Sequence, residues 1–297
     1  MLGRGSHINQ TNKISGSTSR VFSRVLSGHK GYTITEVMIF LAVTTGIFVM
    51  VASTFSQRQR STEFNTAARE IESQVQDIAN DITTGFYGST ESFGCNTTGP
   101  LSDRVPNITP APPGGGQQGT NQDCILVGRA IHFVGASAGE SYNVYSVAGA
   151  RRTSVSSDER DVENYNEANP RAITISGMVE TKQVPRGLTI RGMRIGGEGG
   201  TSINGVGFFT TFGAAASANP TALSVNLIPL TGSTSANMES AINSVSDTTT
   251  MNPARGVVVC MDDSGTNQRA LLRIGTQNSR LTTEVVMESG TCAAAGF

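Results

Sequence analysis

Several residues in this chain have types and spacings that could do chemistry. The first is a single acid. Glu36 closes the run Lys30-Gly31-Tyr32-Thr33-Ile34-Thr35-Glu36 and stands directly before nineteen uncharged residues, Val37–Phe55. A carboxylate carried into a bilayer costs on the order of 2.5–3.5 kcal/mol at the centre and less near an edge. An acid in that place calls for a cationic partner. Next come Cys95, Cys124, Cys260 and Cys292, all beyond the apolar run. An even number of cysteines in an exported domain favours disulfides, and four of them allow three connectivities. Sequential pairing would close two loops of about 30 residues, each contributing about 3–4 kcal/mol in the chain-entropy account. Tetrahedral zinc needs ligands closer together in sequence than these.

Other motifs spell familiar sites without completing them. Gly135-Ala136-Ser137-Ala138-Gly139 has the spelling of a nucleophile elbow and follows the strand-like Ile131–Val134, but no histidine comes after it to act as base. His132, in Ala130-Ile131-His132-Phe133-Val134, reads as a strand residue. The other histidines are His7 and His29, too few for a multi-histidine metal centre. Gly196-Gly197-Glu198-Gly199-Gly200 lacks the Gly-Lys-Ser/Thr ending of a phosphate loop and reads as a turn. Asp158, Glu159, Asp161, Glu163 and Glu167 lack calcium-loop spacing and read as a solvated loop. Arg186, Arg191 and Arg194, with Arg151 and Arg152 elsewhere, are a candidate nucleic-acid surface, but no aromatics interleave them. No catalytic residue, metal site or cofactor is assigned.

The elements that must position these residues follow from charge and periodicity. The chain has 297 residues and a net charge of −1, with 15% charged residues, 6% aromatics, 34 Gly and no Trp. That balance excludes a wholly basic, nucleic-acid-coating protein and favours short strands joined by many turns. The charge is unevenly placed: residues 1–31 carry +5 and no acid, and the remainder carries −6. Fourteen of the nineteen residues in Val37–Phe55 are apolar. A helix of about 20 residues crosses the ~30 Å hydrocarbon core. The basic segment before it would stay cytoplasmic, leaving the bulk of the chain outside.

The helical pattern continues past the apolar run. Phe64, Ala68, Ile71, Val75, Ile78 and Ile82 alternate spacings of four and three, with Arg69, Glu70, Glu72, Gln74, Gln76 and Asp81 on other faces. Gly85 is a stop. A helix over 32–84 would be roughly 80 Å long, and its short seam predicts packing against a sheet rather than a free coiled coil. Residues 86–123 read as a Gly/Pro-rich connector, pinned by Cys95 and Cys124 or free. Strand-like runs then recur at Ile125–Val134, Tyr142–Val147, Ala172–Ile175, Leu188–Ile195, Val206–Phe212, Leu223–Leu230, Gly256–Met261, Arg269–Ile274 and Leu281–Met287. The last three read as a meander. Stretches 153–170 and 231–254 read as polar loops, with a short helix at Ala236–Val245.

At Lys30, Gly31, Tyr32, Thr33 and Glu36 the sequence resembles the type IV prepilins, precursors of type IV pilus subunits and type II secretion pseudopilins. The pattern is a basic residue, Gly, an aromatic, Thr, two residues, Glu, then an apolar helix. The resemblance covers about 25 residues. It implies that a prepilin peptidase cuts between Gly31 and Tyr32 on the cytoplasmic side, followed by N-methylation of Tyr32. It also implies that Glu36 neutralises the α-amine of a neighbouring subunit's Tyr32 in a filament. A C-terminal cysteine pair enclosing the last strands is similar to the pilin pattern. Tyr32 departs from the commoner Phe, no proline precedes Pro100, and the 31-residue leader is long.

The fold expected is α+β: a long N-terminal transmembrane and amphipathic helix packed on a C-terminal antiparallel β-sheet domain. The expected parts are a leader at 1–31, a helix at 32–85 (transmembrane about 37–55, amphipathic 56–84), the connector at 86–123 and an extracytoplasmic β-rich domain at 124–297. The function implied is that of a minor pilin or pseudopilin, held first in the cytoplasmic membrane and then in a surface filament. Its partners would be the prepilin peptidase, other pilin subunits, and an assembly platform and ATPase. The alternatives are a pilus-displayed adhesin or DNA-binding module, and a membrane-anchored enzyme.

Overall fold

The computed structural model describes residues 31–84, 93–110, 123–133, 140–155, 158–185, 187–197, 199–212, 225–249, 256–263, 267–277 and 280–297. The leader up to Lys30, the Gly135–Gly139 spelling, Arg186 and Glu198 lie outside them. The chain divides into two units, 1–55 and 56–297. Helix α1 runs from Ile34 to Thr84.

Within the first unit α1 is bare. Phe40, Phe48 and Met50 are each at least two-thirds exposed. Leaving a side chain of that size in water forgoes about 1.5–3 kcal/mol. The hydroxyls in this stretch are satisfied by the helix itself: Thr44 donates to the Phe40 carbonyl at 2.8 Å and Thr54 to the Met50 carbonyl at 2.7 Å. A hydroxyl so bonded adds little cost to burial in lipid. Among the described residues, this is the one helix long and apolar enough to cross a membrane.

The second unit is a mixed helix and antiparallel-sheet fold. Its strands are β1 (Phe93–Thr98), β2 (Val105–Pro110), β3 (Cys124–Phe133), β4 (Ser141–Ala150), β5 (Arg152–Val155), β6 (Asp158–Asp161), β7 (Arg171–Ala172) and β8 (Glu180–Gln183). They continue as β9 (Thr189–Ile195), β10 (Thr201–Ile203), β11 (Gly205–Thr210), β12 (Val225–Leu230), β13 (Val257–Asp262), β14 (Gln268–Gln277) and β15 (Arg280–Ser289). Two short helices are α2 (Tyr165–Ala168) and α3 (Ser235–Asn243). One sheet has the order β12-β11-β3-β4-β7, with β8 also paired to β4; the other runs β10-β9-β13-β14-β15. The strand pairs are antiparallel, and β13-β14-β15 is a meander.

The main core lies where α1 meets one face of each sheet. The seam Phe64, Ala68, Ile71, Val75, Ile78 and Ile82 is buried to 2% exposure or less. It packs with Ile131, Tyr142, Val144 and Phe208 from the first sheet, and with Ile190, Val259, Met261 and Leu272 from the second. Side chains alternate across a strand, so Ala130, Tyr145, Val147 and Phe209 point the other way. There they meet Tyr165 and Ala168 of α2 and Met238 and Ile242 of α3. Both faces of the first sheet are therefore covered. That is why β3 reads as a nearly continuous apolar run rather than an alternating one. A bulge between Leu126 and Gly128 shifts the β3–β4 register, and a Cβ on Gly128 would collide with the Phe208 carbonyl.

Two regions differ from the sequence reading. The stretch read as a connector contains β1 and β2, paired over six positions. The stretch 153–170, read as a loop, contains most of the β5–β6 hairpin and α2. Glu159 of β6 lies 3.8 Å from Arg152 of β5 across the hairpin, and it also lies 3.4 Å from Arg104; Arg160 pairs locally, with Glu163 three residues on and with Glu167 of α2. A polar run whose charges pair across strands can support a hairpin.

Candidate functional site

The helix start is built by Thr33. Its carbonyl accepts the backbone N–H groups of Glu36 at 3.0 Å and Val37 at 3.2 Å, and its hydroxyl oxygen accepts the Glu36 N–H at 3.3 Å. This is an N-cap, and Thr33-x-x-Glu36 has the spelling of a capping box. That spelling is present in the sequence, where Thr33 is also one position of the prepilin pattern.

The cap fixes where the helix begins, and so places the other residues. Glu36 stands exposed in the first turn, where the helix dipole favours a negative charge. Gly31 and Tyr32 lie before the helix. Among the described residues other than its chain neighbours, nothing comes within 4 Å of a Cβ built on Gly31, and Tyr32 is 79% exposed. Gly31, Tyr32 and Glu36 thus share one end of one helix. The arrangement offers an accessible peptide bond close in sequence to an exposed acid.

The cysteines belong to the second unit. Cys95 bonds Cys124 with Cα atoms 6.1 Å apart, tying β1 to the start of β3. Cys260 bonds Cys292 at 5.8 Å, tying β13 to the turn after β15. Of the three connectivities open from sequence, the structure has the sequential one. The Asp262 carboxylate reinforces the second bridge by accepting from Arg191 Nε at 2.6 Å and from the Cys292 backbone N–H at 3.2 Å.

A buried polar cluster escaped the sequence reading. Arg129 on β3 is 1% exposed, and its guanidinium donates to Asp81 of α1 and Glu180 of β8. Lys182 lies 3.8 Å from Glu180. Beside this cluster the Tyr142 hydroxyl donates to Gln74 of α1. Burial, and then the charges of Glu180 and Glu70, push Tyr142 well above the usual phenol range, against the opposing pull of Arg129. No local signal in the sequence marks Arg129: its partner Asp81 is 48 residues away.

Among the described residues, the remaining candidates lie on separate elements, His132 on β3 and Arg191 and Arg194 on β9. His132 is fully buried on β3. Burial lowers its pKa, and the nearby Gly232 backbone opposes that only in part. Arg191 is engaged by Asp262. Arg194 is engaged by the Gly200 and Gly296 carbonyls and by the Phe297 ring, 5.3 Å from its guanidinium carbon. Neither is a free cation for a phosphate backbone. Among the described residues, no three His, Cys, Asp or Glu side chains gather as a metal site requires. A cavity of about 290 Å³ is lined by Phe64, Asn65, Arg269, Met287 and Glu288 among others, with no histidine or cysteine. No family model matches the chain, and neither a curated protein nor a solved structure matches it.

Proposed function

We propose that this chain is a type IV pilin-like subunit, a minor pilin or pseudopilin, inserted in the cytoplasmic membrane and drawn from it into a filament. The observation that carries the reading is the helix end. An open Gly31–Tyr32 bond stands immediately before a Thr33-capped helix whose first turn holds one acid and whose following turns are bare and apolar. A prepilin peptidase would cut that bond, and the new α-amine of Tyr32 would be methylated. In the filament, Glu36 of one subunit would meet the amine of another, each charge relieving the other's desolvation. Breaking such a buried pair costs about 3–5 kcal/mol. The second unit, with two disulfides, would stand outside the membrane and make the surface contacts. Neighbouring pilin subunits, an assembly platform and its ATPase are the partners this reading requires.

Mass spectrometry of the native protein tests it. The expected N-terminus is Tyr32, carrying the added mass of a methyl group. An intact start at Met1, or trimming at any other bond, overturns the reading.

A further inference from the structure

The first charges after the apolar run of α1 are Arg58 and Arg60, and they are the only charged residues between Glu36 and Glu63. Both side chains are exposed. Among the described residues, neither is within ion-pair distance of an acid. Glu63 is in helical reach of Arg60, but its Oε1 accepts from the Gln59 amide at 3.0 Å. Arginines farther along the chain differ: Arg129, Arg160, Arg191 and Arg269 each meet a carboxylate.

Helix geometry decides what these two cations can reach. Counted along α1, they come about 4.5 and 7.5 Å after Phe55, where the apolar run ends. The headgroup layer beside the hydrocarbon core of a bilayer is roughly 5–7.5 Å deep on each side. Two residues apart on a helix is about 200° of rotation, so the two guanidinium groups leave opposite sides of α1 and cannot share one ligand. Cations at this end also oppose the orientation that the +5 leader favours, a cost that a local anionic contact would offset. A planar guanidinium forks onto two oxygens of a phosphate, a geometry that an ammonium lacks.

We infer that Arg58 and Arg60 bind the phosphodiester groups of two separate lipids on opposite sides of α1, and so fix how deep the helix sits in the bilayer. The ligand is the phosphate itself, which zwitterionic and anionic phospholipids share. The inference rests on the membrane insertion of α1 proposed above, and it holds whether or not the chain forms filaments.

The test uses the full chain in phosphatidylcholine vesicles and a phosphate-free buffer. The chain has no Trp, so Phe55→Trp supplies a single fluorescent reporter of insertion, read by quenching from lipids brominated in their acyl chains. Contact with phosphate is read by solid-state NMR, as dephasing of the arginine guanidinium carbon signals by lipid phosphorus. Arg58→Gln and Arg60→Gln keep a good helix former at each exposed place and remove only the cation. Each single variant should lose part of the dephasing, and the double variant should lose the sum of the two parts, because the contacts are on separate lipids. A reporter at 55 that no brominated lipid quenches would withdraw the membrane reading, and this inference with it. A quenched reporter with equal dephasing in the natural chain and the double variant overturns the inference alone, and leaves the two arginines to water or to the acids of another copy.

Discussion

The side-chain oxygen of Thr33 accepts the backbone N–H of Glu36 at 3.3 Å, so one hydroxyl sets both the start of α1 and the position of its only first-turn acid. Removing a Ser or Thr cap costs about 0.5–2 kcal/mol, and Ser in its place keeps most of that. Thr33→Val should therefore speed amide exchange at Glu36 and Val37, and Thr33→Ser should largely restore protection. Hydrogen exchange of the chain in micelles reads both. Equal exchange in all three proteins would mean that the cap contributes nothing.

Glu36→Gln separates the two steps of the proposed function. The substitution keeps the shape of the side chain and leaves the Gly31–Tyr32 bond untouched, so cleavage should proceed as before. In a filament it would leave the neighbouring α-amine without its anion, and incorporation into sheared filaments should fall at least tenfold. A variant that assembles normally would remove Glu36 from the assembly contact. By contrast, Gly31→Leu should leave the precursor uncut and in the membrane.

The disulfides close loops of similar sequence separation, 29 and 32 residues. Loop entropy alone assigns each about 3–4 kcal/mol. Cys260→Ala with Cys292→Ala should cost more than Cys95→Ala with Cys124→Ala. Freeing the turn at Cys292 also removes a backbone donor from Asp262, which is 6% exposed. A carboxylate buried with fewer donors is costly. Urea unfolding of the two double variants measures the difference, and equal losses would leave loop entropy as the whole effect.

These elements were not equally legible in the sequence. The seam from Phe64 to Ile82 was, because one side of α1 meets a core and burial then follows spacing. The meander was legible because Asp263-Ser264-Gly265 has the spelling of a turn between two strand-like apolar runs. The β5–β6 hairpin was not. Glu159 and Asp161 read as solvated charge until their cross-strand positions are known. Nor was the role of Arg129, since a buried ion pair between a helix and a strand leaves no local period. At the candidate site Gly31, Tyr32 and Glu36 were singled out by the resemblance of Lys30–Glu36 to the prepilin pattern, whereas the hydrogen bond of Thr33 shows it to be the cap.

His132 gives stability an acid limb of its own. The unfolded imidazole titrates near 6.5, and burial holds the folded one lower. Above that range neither state takes a proton, and stability is unaffected by the group. As the pH falls through 6.5 the unfolded chain binds a proton that the folded chain refuses, so stability declines, no faster than about 1.4 kcal/mol per pH unit. The decline ends where the pH reaches the lowered folded value. Glu167 acts in a separate window. Burial alone would raise it, but hydrogen bonds from the Glu163 backbone, Arg160 and Asn164, with the Arg160 charge, hold it below the ordinary 4.5. Its contribution is present above that value and is lost as the pH falls below it. His132→Leu should therefore flatten the stability profile just below about pH 6.5 while leaving the limb below 4.5 in place. Urea midpoints taken across that range decide it, and an unaltered slope in the variant would place the upper limb on some other group.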